Sequence, residues 1–407
     1  MTVYGVEYLK NKLEKKRLRV LQRYSFYEMK NSTFDFGIST PPDLRQWNSC
    51  VGWCAKAVDS LADRLVFREF RDDNFNMNGI FNMNNPDVLF SSAVLSALIS
   101  SCCFLYISQD ENLFPRIQVI DGANATGTID PITGMLTEGY AVLERDQYER
   151  PLIEAYFTDK ETVFRNEDGS ETHFRHNAGH PLLVPVIFRP DARRPFGHSR
   201  ISRACMSITG SALRTIKRGE ISAEFFSYPQ KYVTGLSEDA EISDRWKAAM
   251  SAMMSFTKDE NNDHPIVGQF QQQSMEPHNA QLRMFASIFA GETGLTLDDL
   301  GFPSENPSSA EAIKASHENM RLTAAAAQKS FGSGFLNAGF IAACLRDDYP
   351  YKRRQVYLTK PVWEPIFTPD ASMLSLIGDG AIKINQAVPG FFSEQTLHDL
   401  TGIAGKG

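Results

Sequence analysis

The residues of this 407-residue chain best suited to chemistry are three pairs of adjacent carboxylates, Asp72-Asp73, Asp298-Asp299 and Asp347-Asp348. Two acids sharing a divalent metal form the core of a hydrolytic nuclease site. Adjacent side chains on a helix point apart, however, so the pairs read as caps and solvated turns. The histidines offer no His-Glu-x-x-His spacing, and His173, His176 and His180 are strung loosely through a predicted strand and turn, which implies surface positions. No Ser occupies a Gly-x-Ser-x-Gly elbow, and no Gly-x4-Gly-Lys-Ser/Thr loop is present to cradle a triphosphate. Six cysteines, including the adjacent Cys102 and Cys103, form neither a disulfide framework nor a zinc pattern. The Cys50-x3-Cys54 spacing puts two thiols on one helical face without a His or Cys partner, so both are expected to be buried structural thiols in a reducing compartment. These patterns point away from catalysis, cofactor and metal, and toward architecture.

The elements that would carry such an architecture need more than one core, because a chain this long divides into roughly two to four packed units. Hydrophobic residues make up 42% and charged residues 22%, a globular balance with 28 Phe. Forty-two Lys and Arg against 49 Asp and Glu leave a net charge of -7, which excludes broad grip on nucleic acid but permits local or sliding contact. The first thirty residues are basic and amphipathic (Lys10, Lys12, Lys15, Lys16, Arg17, Arg19, Arg23) with no apolar leader core, which predicts a protein made and kept in the cytoplasm. Val88 to Ile107 is uncharged and long enough to span a bilayer, yet Ser92, Ser96 and Ser100 form a polar stripe and acids flank the segment, so an amphipathic helix is expected and no membrane.

Apolar spacing predicts a helix over Cys50–Leu65 with Val51, Cys54, Val58, Leu61 and Leu65 on one face. A β segment at Phe104–Ile107 follows the Ser-striped helix, and an antiparallel meander is expected from Ile117 to Phe188, broken at Asp130-Pro131, Gly134, Arg150-Pro151 and 166–170. Residues 1–190 thus read as an α+β domain. A basic, Pro-rich connector (189–197) leads to a helix from near Ser199, about 27 residues and roughly 40 Å long. Ile201, Cys205, Ile208, Ala212, Ile216, Gly219 and Ala223 keep one of its faces apolar and small. Arg203, Arg214 and Arg218 share another with Lys217 at its edge, either a solvated face or a phosphate-facing stripe.

An insert of strand (Lys231–Thr234), helix (Asp239–Phe256) and strand (Ile266–Phe270) comes next; residues 228–276 carry eight acids and four bases. A second helix (His278 to about Glu292) precedes a loop with Gly294, Gly301 and Pro303 as bends, and Ser308 with Glu311 has the spacing of a capping box. The Ala-rich helix that follows is expected to loosen at Phe331-Gly332-Ser333-Gly334, ahead of a strand at Gln355–Thr359, prolines at 361, 365 and 369, and two short helices near Ala371–Asn385 and Ser393–Leu400.

Four segments in this order, Cys50–Phe67 (CVGWCAKAVDSLADRLVF), the helix-to-strand passage ending in Cys102–Ile107, Phe196-Gly197-His198-Ser199-Arg200-Ile201 and Asn306–Met320 (NPSSAEAIKASHENM), resemble the portal proteins of long-tailed bacteriophages over residues 40 to 345. The resemblance implies a multi-domain α+β subunit: a wing of helices plus β meander (1–200), stem helix 1 (201–227), a small α/β clip (228–276), stem helix 2 (277–293), a tunnel loop (294–308), a tunnel/wing helix and strand (309–366) and a reduced helical crown (367–407). It implies no enzyme but a ring of twelve copies at one capsid vertex of the virion, assembled in the host cytoplasm. Double-stranded DNA would pass through it during packaging and ejection, and the partners would be the terminase large subunit, the head–tail adaptor and the major capsid or scaffolding protein. Residues placed to meet DNA are Arg203, Arg214, Lys217, Arg218, Asp298, Asp299 and Glu305; Glu238, Asp239, Glu241, Asp244 and Trp246 are placed to meet clip partners. Two other readings stay open on the residues alone, a metal-dependent DNA-processing head protein and a minor capsid protein without a channel.

Overall fold

A computed structural model of the chain describes residues 4–31, 49–227, 231–234, 266–269, 274–303, 315–367, 369 and 371–403. The chain forms two units, the first from residues 1–31, 52–206 and 291–407 and the second from 32–51 and 207–290. Helices and antiparallel sheets make both, an α+β chain.

In the first unit, the basic segment at the start of the chain is helix α1 (Val6–Tyr27), whose Leu9 and Leu13, one turn apart, bury against Tyr140 and Val142. Helix α2 (Trp53–Ala62) buries Cys54, Val58 and Leu61, as their spacing predicts. Cys50 is exposed, contrary to expectation: the helix starts after it, so the one-turn relation to Cys54 does not apply. Strand β1 (Phe67–Arg71) and helix α3 (Met77–Asn82) lead to α4 (Pro86–Ser100). The serine stripe of α4 is exposed at Ser91, half-buried at Ser92 and Ser96, and covered at its end. Ser100 is buried, and Arg23 of α1 donates to its carbonyl at 2.9 Å, so a second helix covers the end of the stripe. Ser101, at φ +90°, turns the chain into β2 (Cys102–Gln109), which cuts the uncharged stretch in two. Among the described residues no helix is long and apolar enough to cross a membrane.

The strands β3 (Pro115–Ile120), β4 (Ala125–Ile129), β5 (Leu136–Arg145), β6 (Pro151–Phe157), β7 (Glu161–Asn166), β8 (Glu171–Arg175) and β9 (Leu183–Ile187) are antiparallel, with connections at the predicted turn residues. They form two sheets, not one meander: β4-β5-β6-β7-β8, and β3-β2-β9, in which β9 returns to pair with β2. Strand β2 explains the split. Its Cys102, Cys103, Phe104, Leu105 and Ile107 are all buried, and such a continuous apolar run requires a neighbour on each edge and cover on both faces. Of the histidines expected at the surface, His173 is exposed but His176 is only 8% exposed, stacked on Phe174 where β8 ends.

Helix α5 (Arg203–Ser227) begins later than the expected Ser199, because the Ser202 hydroxyl accepts the Cys205 amide as a cap. Most of α5 belongs to the second unit, with β10 (Lys231–Thr234), β11 (Ile266–Gln269) and α6 (Glu276–Thr293) as far as residue 290. The two strands pair antiparallel, Lys231 opposite Gln269 and Thr234 opposite Ile266, where the sequence puts the strands of the insert. The helix expected between them lies outside the described residues. Small side chains on α5 admit α6: Ala212, Ala286 and Phe289 are buried, Gly219 lies against Met275 and His278, and the Thr215 hydroxyl donates to Gln281 at 3.1 Å.

Back in the first unit, α7 (Glu318–Arg346) is one continuous helix through the glycines expected to loosen it. A Cβ on Gly332 would lie 2.6 Å from the Pro361 side chain, and one on Gly334 3.2 Å from the Pro185 carbonyl. The glycines therefore serve close packing, not flexibility. The strand expected at Gln355–Thr359 is a 3-10 turn, Arg353–Val356, and the true strand β12 (Lys360–Trp363) follows it and pairs with β1. Pro361 is tolerated because this sheet has only two strands, so each has a free edge. Phe67, Phe90, Phe335 and Trp363 interlock beneath it. Helices α8 (Ala371–Ala387) and α9 (Glu394–Thr401), the latter capped by Ser393, close the chain as predicted.

Candidate functional site

The acid pairs are occupied by local structure. Asp73 accepts the amides of Phe75 and Asn78 ahead of α3, and Asp347 pairs with Arg346 at 2.8 Å. Asp299 accepts both the amide and the hydroxyl of Thr296, at 2.9 and 2.8 Å, while its own amide donates back to the Thr296 hydroxyl. Among the described residues no group of three or more His, Cys, Asp or Glu could hold a metal ion.

The loop after α6 is correspondingly well defined as far as Pro303. Leu295 and Leu300 are buried, Asp298–Leu300 form a 3-10 turn, and Gly294 and Gly301, at φ +70° and +88°, make the bends that glycine permits. Asp298 is exposed, whereas Asp299 is committed to the turn. Glu305, the capping pair Ser308 and Glu311, and the five clip candidates Glu238, Asp239, Glu241, Asp244 and Trp246 lie outside the described residues. On α5, Arg214, Lys217 and Arg218 are half-buried within the second unit, and Arg214 donates to the Ser211 hydroxyl at 2.9 Å. Arg203, read from the sequence as part of the same stripe, is exposed in the first unit.

Arg200 is the buried link of the first unit. Its Nε donates to the Ala57 carbonyl of α2 at 3.1 Å and its terminal nitrogen to the Thr293 carbonyl at the end of α6, and burial pushes its pKa down to about 10. Gly197 precedes it at φ +71°, with the Phe188 carbonyl 2.1 Å from where a Cβ would stand. The Gly197-His198-Ser199-Arg200 segment therefore locks the connector to the wall of the unit.

Beside that connector lies a cavity of about 960 Å3, open to solvent on one side. Lys12, Lys16, Arg19 and Arg23 of α1, Arg194 of the connector and Arg203 of α5 line it, and among the described residues Glu292 is the one carboxylate in its wall. Lys12 donates to the Gly127 carbonyl at 2.8 Å and Lys16 to that of Ala125 at 2.9 Å, both on β4. Their ammonium groups also sit over the Phe196 ring, at 5.0 and 5.5 Å. Burial, then proximity to Lys16, lowers the Lys12 pKa; burial lowers that of Lys16, and burial followed by Arg19 lowers that of Arg23. A wall that gathers six cations, three of them with their charge disfavoured by burial, suits an anion. Sequence reasoning passed over it, although spacings of four, three and four residues from Lys12 to Arg23 put the four cations on one helical face.

No family model matches the sequence. A portal protein of Mycobacterium phage L5 is 24% identical over 344 residues, 78% of this chain and 69% of that protein. The portal protein of Mycobacterium phage D29 is 24% identical over 320 residues, 73% of this chain and 65% of that protein. The chain is a relative of phage portal proteins. It spans about two thirds of the length of these portal relatives. Among solved structures, the neck of an empty gene transfer agent particle aligns over 95% of this chain and 100% of that chain, with 12% identity and a TM-score of 0.49. The virion of the native particle aligns over the same shares with 11% identity and a TM-score of 0.48.

Proposed function

We propose that this chain is the subunit of a phage portal, a ring of identical copies at one capsid vertex of the virion through which double-stranded DNA is packaged and ejected. The observation that carries the reading is the alignment with two portal proteins over about three quarters of the chain. The role is structural, not catalytic, in keeping with acid pairs spent on caps and ion pairs. Twelve copies, the number the resemblance implies, turn each lining charge into a ring of charge, so local groups matter more than the net -7 of one chain.

On this reading residues 1–200 with 309–366 make the wing, 201–227 and 277–293 the stem, 228–276 the clip, 294–308 the tunnel loop and 367–407 a reduced crown. DNA must slide without sticking, since every neutralised phosphate adds affinity and salt dependence. Arg214, Lys217 and Arg218 supply limited contact, and Asp298, Asp299 and Glu305 supply repulsion at the loop. The terminase large subunit and then the head–tail adaptor dock on the clip through Glu238, Asp239, Glu241, Asp244 and Trp246, and the wing meets the capsid or scaffolding protein.

Negative-stain microscopy of the purified chain tests the assembly: closed rings near twelve copies are expected, and a chain that stays monomeric overturns the reading. Replacing Arg214, Lys217 and Arg218 together with Ala is expected to impair packaging or DNA retention while rings persist. Normal packaging by that variant removes the proposed DNA role of the stripe.

A further inference from the structure

We infer that the basic cavity beside α1 is a contact between subunits, which receives an acidic segment of a second copy of this chain. The inference rests on the ring reading above and adds to it the surface involved and the chemistry that closes the contact.

Six cations line the cavity against one carboxylate, and among the described residues none of the six forms an ion pair with an Asp or Glu. Other cations of the same unit do find carboxylates: Lys10 meets Glu154 at 2.8 Å, Arg17 meets Glu149 at 2.6 Å, and Arg71 meets Asp399 at 2.5 Å. Charge collected in a concave wall without counter-charge costs free energy until an anion enters. The floor is prepared for one. Lys12 and Lys16 each have three protons to donate and spend one on a β4 carbonyl, and between those carbonyls the Thr126 hydroxyl, fully buried, has no hydrogen-bond partner among the described residues.

The shape and the flanks favour a polypeptide over DNA. A stiff duplex presents its phosphates on a convex surface and cannot reach ammonium groups on a cavity floor. A carboxylate on a side chain can. The same turns of α1 leave Leu18 76% exposed and Leu21 41% exposed on the outer flank, apolar surface that a protein partner buries and a phosphate backbone does not use.

A second copy is the partner whose charge fits. The chain as a whole is at -7 although six of its cations gather here, so the rest of the chain carries more net negative charge than the total. In a closed ring each contact joins one face of a subunit to a different face of the next, and a basic hollow on one side then meets acid on the other.

Two measurements test the inference. Mass photometry across protein concentration and salt compares the wild type with Arg19→Glu/Arg194→Glu, two exposed positions outside the proposed DNA stripe. The expected result is at least a tenfold rise in the concentration needed for rings, together with loss of the wild-type salt sensitivity. Intact rings in the variant, within twofold of wild type, overturn the inference and leave the portal reading standing, and so does a variant that assembles normally but loses duplex binding. A wild type that remains monomeric overturns the portal reading itself. In the second measurement, carbodiimide coupling of assembled wild-type chain made from mixed nitrogen-14 and nitrogen-15 copies is read by mass spectrometry, which needs no variant to fold. Couplings from Lys12 to an Asp or Glu of the other isotope are expected, and Lys12 couplings confined to one copy overturn the inference.

Discussion

The buried carboxylate of Glu138, on β5, accepts the backbone amide of Gly5 at 3.1 Å and so fixes the start of α1 against the five-stranded sheet. Tyr4 adds its amide at 3.0 Å, and the hydroxyls of Thr128 and Tyr156 complete the shell at 3.0 and 3.1 Å. A negative group at that end of a helix satisfies amides with no intrahelical acceptor and opposes the helix dipole. Every cation that α1 lends to the basic cavity depends on this anchor.

Glu138→Gln keeps the shape and removes the charge, so all four donors lose a charged acceptor and the two that face the new NH2 group lose their acceptor altogether. We expect a loss of about 1–3 kcal/mol, read as a lower denaturant midpoint at unchanged slope. A midpoint equal to that of the wild type would show that the carboxylate does not hold the helix.

Arg200 is expected to be the costliest cation to replace. Arg200→Met leaves the carbonyls of Ala57 and Thr293 buried without their donor, a penalty of about 2–5 kcal/mol. Lys in its place should recover little, because one ammonium cannot reproduce the two diverging N–H groups of a guanidinium. Equilibrium urea unfolding of the three proteins distinguishes these outcomes, and full rescue by Lys would contradict the two-carbonyl account.

Two glycine substitutions should have opposite signs. Gly378→Ala, in α8 where nothing lies within 4 Å of the added methyl, should gain about 0.5–1 kcal/mol from helix propensity. Gly332→Ala meets Pro361 at 2.6 Å and should lose about 1–3 kcal/mol despite the same propensity gain. Thermal melts of the pair decide whether the mid-helix glycines are there for packing; a gain at both positions would refute it.

Acid should destabilise the first unit through histidine. Burial lowers the pKa of both His176 and His180, so the unfolded chain takes up protons at a pH where the folded chain does not. Their contribution is intact above the ordinary histidine value of about 6.5 and is lost as pH falls from there toward the depressed folded values. Between pH 7 and pH 5 the melting temperature of the wild type should therefore drop more than that of His176→Gln/His180→Gln. Parallel curves for the two would assign the acid sensitivity elsewhere.

Periodicity made the long elements legible. Cys54, Val58 and Leu61 on α2, the strands β10 and β11, and the closing helices α8 and α9 lie where spacing and turn residues predict. What escaped was set by partners distant in sequence. Gly332 reads as a breaker until Pro361 is known to press on it, and Val356 reads as strand until the turn around it is seen to deliver β12 to β1. The cavity escaped for the same reason: Arg194 and Arg203 are separated from α1 by more than 160 residues, and no local pattern joins them.

Strand β4 ends its sheet, and the carbonyls of Ala125 and Gly127 receive Lys16 and Lys12 rather than the amides of another strand. An open row of carbonyls invites intruding backbone, and two ammonium groups block it as gatekeepers. A chain shortened by its first 27 residues would lose both, and with them its protection against strand-by-strand polymerisation.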